Sequence, residues 1–280
     1  MSRMLEREKK WLLVEKYGVK NERDLVGEKS EAFFADLKRL KNGEPLAFVI
    51  GFVDFLTCKI DLKYKPLIPR PETEYWVNIF IKNNLKNRKN KNGKVQPCSD
   101  KNANNNYENK IQILDLFSGS GCIGISILKK CQNCQVDFGE KNPKFIKQIK
   151  KNLKLNLTKN RASCYKIFKT DIFSGVPKNK KYDFILTNPP YIPKNKKNTV
   201  QTSVLNYEDY SSLFADDNGL FFVKKIIKNG FNFLKPNGKI YIEFDHRQKK
   251  KIEEHLKKNK IKFNFQKDQY KKYRVLILFT

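Results

Sequence analysis

A mostly parallel α/β sheet, covered by helices on both faces and ended by an antiparallel last strand, is the fold class this sequence predicts from residue 111 onward. Three observations carry the prediction. Apolar strand-like runs alternate with amphipathic helices from Ile111 to Phe279, a glycine-rich turn follows the first run, and the turn Asn188-Pro189-Pro190-Tyr191 closes the fourth. Strand patterns that alternate with helical ones imply parallel pairing with helices on the sheet faces.

The elements follow in order. Residues 1–42 read as a small helical lead domain, because Trp11, Leu12 and Val14, then Phe33, Phe34, Leu37 and Leu40, recur at helical spacing among charges. Residues 43–70 read as a linker. Within it Phe52, Phe55, Ile60, Leu62 and Tyr64 alternate with polar residues, the pattern of a short antiparallel hairpin. Pro71 suits the first turn of a helix running from Glu72 to Ile81, with Trp76, Ile79 and Phe80 on one face. Residues 82–110 hold ten Asn and seven Lys in 29 positions with almost nothing to bury, and read as a mobile polar insertion. The strands expected after it are Ile111 to Phe117, Gln135 to Phe138, Tyr165 to Lys169, Phe184 to Thr187, Lys239 to Phe244, Lys262 to Gln266 and Arg274 to Phe279. Helices fill Ile123 to Lys130, Pro143 to Leu157, Gly219 to Leu234 and Gln248 to Lys258. The short Lys-rich turn between the last two strands forces them to pair antiparallel.

Composition sets the outer limits. With 39% hydrophobic and 12% aromatic residues the chain can bury a core and reads as globular. The apolar stretch Leu46 to Leu56 is eleven residues long and contains Asp54, short of the roughly 18 that a membrane span needs. No membrane association is expected, and the charged start MSRMLEREKKW lacks the apolar core of an export signal, so the expected location is cytoplasmic. The net charge of +29 is a field that attracts acidic surfaces, nucleic acid among them, although Lys and Asn are abundant throughout the chain. Cys58, Cys98, Cys122, Cys131, Cys134 and Cys164 are scattered, and free thiols are expected. Cys131 and Cys134 have the spacing of half a zinc site that nothing completes, so no metal is expected.

The chemistry lies at strand ends. Asp115-Leu116-Phe117-Ser118-Gly119-Ser120-Gly121 and the following residues to Gly124 form a G-x-G-x-x-G turn, which lets the backbone approach a ligand beyond the sheet. Glu140, about 20 residues on and just before the helix-opening Asn142-Pro143, is placed to bind both hydroxyls of a ribose, with Asp137 as the competing acid. Asp171, with Ile172, ends the third strand within reach of an adenine amine. These residues indicate a nucleoside; a dinucleotide and S-adenosylmethionine both fit. The fourth strand decides between them. Pro189 and Pro190 fix φ and remove two donors, leaving the Pro189 carbonyl and the Asn188 side chain as acceptors for an NH2 group beneath Tyr191. Such a clasp can orient a nitrogen lone pair toward a methyl group.

Asn188-Pro189-Pro190-Tyr191 after a glycine turn resembles the S-adenosylmethionine-dependent amino-methyltransferases that act on adenine, guanine or glutamine. Gly43-Glu44-Pro45-Leu46-Ala47-Phe48-Val49-Ile50-Gly51, Ile68-Pro69-Arg70-Pro71-Glu72-Thr73-Glu74 and Asn188 through Pro193 are similar to one group of these, the HemK/PrmC family that methylates a glutamine of peptide chain release factors. Tyr207-Glu208, Asp217-Asn218-Gly219-Leu220, and Ile242-Glu243 with Gln248 agree with it.

The resemblance implies a Rossmann-like, doubly wound, seven-stranded sheet with S-adenosyl-L-methionine as cofactor and release factors as protein substrate, direct nucleic-acid binding not being required. It implies that Asn188 and the Pro189 carbonyl hold the glutamine amide, that Pro190 and Tyr191 complete the catalytic turn, and that Asp115, Phe117, Gly119, Gly121, Glu140, Asp171, Ile172 and Asn188 line the cofactor. Arg70, Glu72 and Glu208 would position substrate. The helical lead is shorter than that family's, the insertion is foreign to it, and Asp209 stands where it tends to place Pro.

Overall fold

A computed structural model describes residues 3–86 and 110–280 of the chain. The lead begins with α1 (Arg3–Leu12), prolonged by a π-helical turn Leu13–Tyr17, and continues in α2 (Glu28–Lys41) and α3 (Leu46–Ile50). Leu12, Leu13, Leu25, Phe33, Leu37 and Leu40 form its apolar cluster together with Val49, which lies in the stretch read as linker. Trp11, Val14 and Phe34, expected on the buried face, are exposed instead. The helices turn Leu12, Leu13 and Phe33 inward, and the Arg7 guanidinium lies 4.7 Å above the Trp11 ring.

The hairpin β1 (Phe52–Phe55) and β2 (Cys58–Asp61) leads into α4 (Pro71–Phe80). The first residues of the insertion expected over 82–110 are packed rather than mobile, because Leu85 has an apolar side chain to bury. Ile81–Lys86 continues α4 as a π-helical turn with Leu85 buried, and residues 87–109 lie outside the described residues.

Beyond residue 110 come β3 (Ile111–Leu116), α5 (Cys122–Lys130), β4 (Cys134–Glu140), α6 (Pro143–Asn156), β5 (Tyr165–Lys169) and β6 (Tyr182–Thr187). A short parallel pair, β7 (Ile192–Pro193) with β8 (Phe214–Ala215), flanks α7 (Thr202–Tyr207). The chain ends with α8 (Phe221–Gly230), β9 (Leu234–Glu243), α9 (Lys249–Lys258), β10 (Phe263–Lys267) and β11 (Tyr273–Phe279). The expected helix from Gly219 to Leu234 is thus shorter and β9 longer, starting at Leu234 rather than Lys239.

The seven-stranded sheet runs β10-β11-β9-β6-β3-β4-β5, and β11 lies antiparallel to both neighbours while the other pairs are parallel. Side-chain alternation splits the core into two layers, as a period of two requires. Ile113, Leu186, Tyr241 and Val275 face α4, α5 and the hairpin, whereas Leu114, Ile185, Ile240 and Leu276 face α8 and α9. At Gly124 in α5 an added Cβ would meet the Phe138 ring at 2.4 Å, so this helix lies against β4 only because the residue has no side chain.

Polar side chains of α6 lock the hairpin to the sheet. Asn152 Oδ1 accepts from Asp61 N–H at 2.9 Å, and Gln148 Oε1 accepts from Tyr64 N–H at 2.8 Å. Cys131 and Cys134, expected as free thiols, are joined in a disulfide. The end of α5 and the tight turn into β4 bring their Cα atoms to 5.7 Å, inside the span a disulfide needs. Cys58, Cys122 and Cys164 are free, and Cys98 lies outside the described residues. Among the described residues no helix is long and apolar enough to cross a membrane, and no group of three or more His, Cys, Asp or Glu could hold a metal ion.

Candidate active site

Register gathers the motifs. Leu116 at the end of β3 pairs with Gly139 of β4 on one side and Thr187 of β6 on the other, and Thr187 pairs in turn with Ile242 of β9. The glycine turn, Glu140, Asn188 and Glu243 therefore leave the sheet side by side at its carboxyl edge. This is the switch point, where β4 and β5 extend to one side of β3 and β6 to the other, and an open α/β sheet leaves a ligand crevice there.

On the nucleoside side, Gly119 and Gly121 have positive φ, and Phe117 adopts φ 59° although it carries a side chain. Its ring meets Phe222 edge-on at 5.1 Å. Glu140 Oε2 accepts from Gly119 N–H at 2.9 Å and Oε1 from Asn142 N–H at 2.8 Å, so one carboxylate ties the glycine turn to the start of α6. Burial raises its carboxyl above the usual range against these hydrogen bonds. Asp137, the competing acid, lies within β4: Oδ2 accepts from Tyr182 O–H at 2.9 Å and from Lys180 Nζ at 3.1 Å, while Oδ1 has no partner among the described residues.

Asp115 is wholly buried. Its Oδ2 accepts from Gly124 N–H at 2.9 Å, while Oδ1 has no partner among the described residues, and burial raises its carboxyl well above the usual range. Asp171 is exposed, where Lys141 Nζ reaches its Oδ2 at 2.8 Å, and Ile172 beside it has φ 56°.

On the acceptor side, Asn188 Nδ2 donates to Thr73 Oγ1 at 3.3 Å, Thr73 O–H donates to Glu243 Oε2 at 2.7 Å, and Trp76 Nε1–H donates to the same oxygen at 2.7 Å. Burial above all, and the charge of Glu72 to a smaller extent, raise the Glu243 carboxyl, while Trp76 and Thr73 pull it down. Glu72 itself is half-buried at the head of α4. Gln248 Nε2 donates to the carbonyls of Tyr191 at 3.0 Å and Asn218 at 3.1 Å, which fixes the far end of the proline turn. The half-buried Tyr191 phenol is raised by burial. Asn188, Pro189, Pro190 and Tyr191 line a cavity of about 240 Å³ with Arg70 and Leu213. Arg70 Nη2 donates to Glu208 Oε1, whose second oxygen accepts from Ile68 N–H.

The glycine turn, Glu140, Asp171 and the Asn188-Pro189-Pro190-Tyr191 turn follow strands at this edge, with Asp171 exposed, whereas Asp137 lies within β4 away from it. Sequence reasoning gave no role to Thr73, Trp76 or Lys141. Glu243 and Gln248 stood out only by resemblance. The available signal for Glu243 is a lone acid ending the apolar run Ile240-Tyr241-Ile242.

Fold and site together define a class I S-adenosylmethionine-dependent methyltransferase. The profile of the family described as "Methyltransferase small domain" matches residues 101–207. The chain is 32% identical to the release factor glutamine methyltransferase of Flavobacterium psychrophilum over 84% of this chain and 74% of that one. It is 27% identical to that of Streptococcus pneumoniae over 92% of this chain and 83% of that one. A bifunctional methyltransferase of Rickettsia prowazekii is 34% identical over 79% of this chain, which spans 42% of that protein. Among solved structures, the hMettl16 catalytic domain in complex with a MAT2A 3′UTR hairpin shares the fold at TM-score 0.58 and 16% identity, over 90% of this chain and 80% of that one. The chain belongs to the release factor glutamine methyltransferase family, the HemK/PrmC group.

Proposed function

We propose that the protein transfers the methyl group of S-adenosyl-L-methionine to the side-chain amide nitrogen of the glutamine in the Gly-Gly-Gln motif of peptide chain release factors. One observation carries the reading: Asn188 bonds to Thr73 through Nδ2, so its Oδ1 is not used there, and Asn188 and Pro189 line one cavity of about 240 Å³; Oδ1 and the Pro189 carbonyl are taken as the acceptor pair.

The residues present fit the cofactor. The orphaned Asp115 Oδ1 and the turn at Gly119 and Gly121 suit a cationic amino-acid tail, the Glu140 carboxylate suits a ribose diol, and Phe117, Asp171 and Ile172 frame an adenine. When bound, the cofactor supplies an electrophilic methyl on a sulfonium. The chain's own work is orientation. Asn188 Oδ1 and the Pro189 carbonyl accept both amide hydrogens, Pro190 stiffens the turn, and Tyr191 covers the amide face, so that the nitrogen lone pair points along the line of transfer. Alignment of this kind can reach effective molarities on the order of 10⁵ M. The amide nitrogen would take up that methyl group and give up one proton to solvent. Arg70, Glu72 and Glu208 shape the entrance, and the helical lead, residues 1–42, with the 43–70 linker, helps to grip the release factor. A cytosolic location accords with that partner.

The net charge of +29 favours a second reading, methylation of an exocyclic amine in nucleic acid. Labelled S-adenosylmethionine offered with a release factor, tRNA and DNA tests the two: label is expected on the release factor alone and not on its Gln→Ala variant, whereas label on nucleic acid reverses the conclusion. Asn188→Ala is expected to abolish transfer with cofactor affinity near normal.

A further inference from the structure

An asparagine carboxamide has two ends of opposite polarity, and only one of them can receive an NH2 group. Nothing in the residues Asn188 to Tyr191 themselves decides which end faces the cavity. The decision lies outside the turn.

The polarity runs outward from Glu243. This carboxylate is buried, 1% exposed, at the tip of β9, and it takes hydrogens from two sides. Trp76 Nε1, which can only donate, is 2.7 Å from Oε2, and Thr73 Oγ1 is 2.7 Å from the same atom. A hydroxyl has a single hydrogen, so Thr73, having given it to Glu243, faces Asn188 with a lone pair. Asn188 answers with Nδ2 at 3.3 Å, and its Oδ1 is thereby directed away from Thr73. The pairing of Thr187 with Ile242 makes Asn188 and Glu243 neighbours across the sheet, so the relay rests on strand register.

We propose that Thr73 and Glu243 are positioning residues that set the flip state of Asn188, holding Oδ1 toward the acceptor amide and Nδ2 away from it. The inference rests on the glutamine-amide reading above. With Asn188 reversed, its NH2 would confront the NH2 of the substrate, leaving two donors unpaired and the nitrogen lone pair without a fixed direction. Thr73 and Glu243 touch neither substrate nor cofactor in this account; they act through Asn188.

Thr73→Val keeps the shape of the side chain and removes the lone pair, and Thr73→Ser restores it. With a release factor as substrate, Thr73→Val is expected to lower kcat by about tenfold, the worth of one hydrogen bond, with the dissociation constant for S-adenosylmethionine within about twofold of the wild type. Thr73→Ser is expected to regain kcat to within about twofold. Wild-type kcat in Thr73→Val overturns the inference alone. Joint loss of turnover and cofactor affinity in Thr73→Val, or failure of Thr73→Ser to regain turnover, makes Thr73 a packing residue and also overturns it. If wild-type protein transfers no label to any release factor, the glutamine reading falls first and the inference with it.

Discussion

Arg70 Nη2 lies 2.6 Å from Glu208 Oε1 and joins the segment before α4 to the residue after α7, 138 positions away. The Glu208 side chain is inaccessible while that of Arg70 stays 34% exposed, so a buried acid aims a half-free guanidinium at the cavity that holds Asn188. Burial raises the Glu208 carboxyl and the Arg70 charge opposes it. Arg70→Ala leaves that acid with the Ile68 N–H alone. The expected result is a loss of roughly 2 kcal/mol in stability, below the usual range for breaking a buried pair because Arg70 is partly solvated. A severalfold rise in KM for the release factor should accompany it, with cofactor affinity unchanged. Thermal melts and titrations of both substrates check the two halves separately; an unchanged KM makes Arg70 a brace alone.

Gly219 is the second point of leverage on the proline turn. It has φ 82°, follows Asp217 and Asn218, which also have positive φ, and an added Cβ would meet the Tyr191 carbonyl oxygen at 2.1 Å. The same carbonyl accepts from Gln248 at 3.0 Å, so it has nowhere to retreat without breaking that bond. Gly219→Ala is therefore expected to cost about 1–3 kcal/mol and to lower methylation at least tenfold while the glycine turn still binds cofactor. A denaturant midpoint together with cofactor calorimetry decides the point, and full activity in Gly219→Ala would mean that Tyr191 does not need its place.

The parts of the site legible in the sequence are those whose signals are local. The glycine turn, Glu140 before Asn142-Pro143, and Asn188 to Tyr191 each announce themselves within ten residues, and the period of the apolar runs puts all three at strand ends. The relay from Asn188 through Thr73 to Glu243 is not legible, because its partners are 115 and 170 residues apart and only the sheet order makes them neighbours. Glu140 stands out from Asp137 in the sequence by its place just before the cap Asn142-Pro143; in the fold Asp137 lies within β4, its Oδ2 held by Tyr182 and Lys180 and its Oδ1 without a partner among the described residues. Trp11, Val14 and Phe34 face solvent although their spacing suits a buried face, because apolar type at helical spacing does not say which of two adjacent residues turns inward. The Cys131–Cys134 pair shows the same limit: spacing alone suits half a metal site as well as a bridge.

Cofactor affinity should carry the mark of Glu140. Its carboxyl is raised by burial, so it takes up a proton at higher pH than an ordinary glutamate as pH falls. If the ionised form binds the ribose, the free protein holds more protons than the complex below that point. Affinity is then constant above the raised value and falls with decreasing pH by up to about tenfold per unit. Calorimetric titration with S-adenosylmethionine between neutral and mildly acidic pH should show this, and Glu140→Gln should bind more weakly and with that dependence removed. A wild-type affinity flat across the whole range would assign the ribose to another group.

Stability of the lead turns on Arg39. Its Nε and Nη2 fork onto Glu44 at 2.9 and 3.0 Å, Nη1 donates to Asp36 at 2.9 Å, and Nη2 also reaches the Phe48 carbonyl at 3.1 Å, so one guanidinium ties α2 to α3. Asp36 and Glu44 are both buried, and the Arg39 hydrogen bond holds the Glu44 carboxyl below its usual range. For a depressed carboxyl the stabilisation is present above the unfolded value and is lost as pH falls through the folded one, so the lead should loosen in acid. Arg39→Lys keeps the charge but cannot fork, and Arg39→Ala leaves Asp36 with Lys16 and Tyr17 and Glu44 with Lys65. Losses of about 1 and about 1–2 kcal/mol are expected in that order, discounted because Arg39 is partly exposed. Hydrogen exchange localised to α2 and α3 reads the effect directly, and equal protection in all three proteins would show that apolar packing around Phe33 and Leu37 holds the lead by itself.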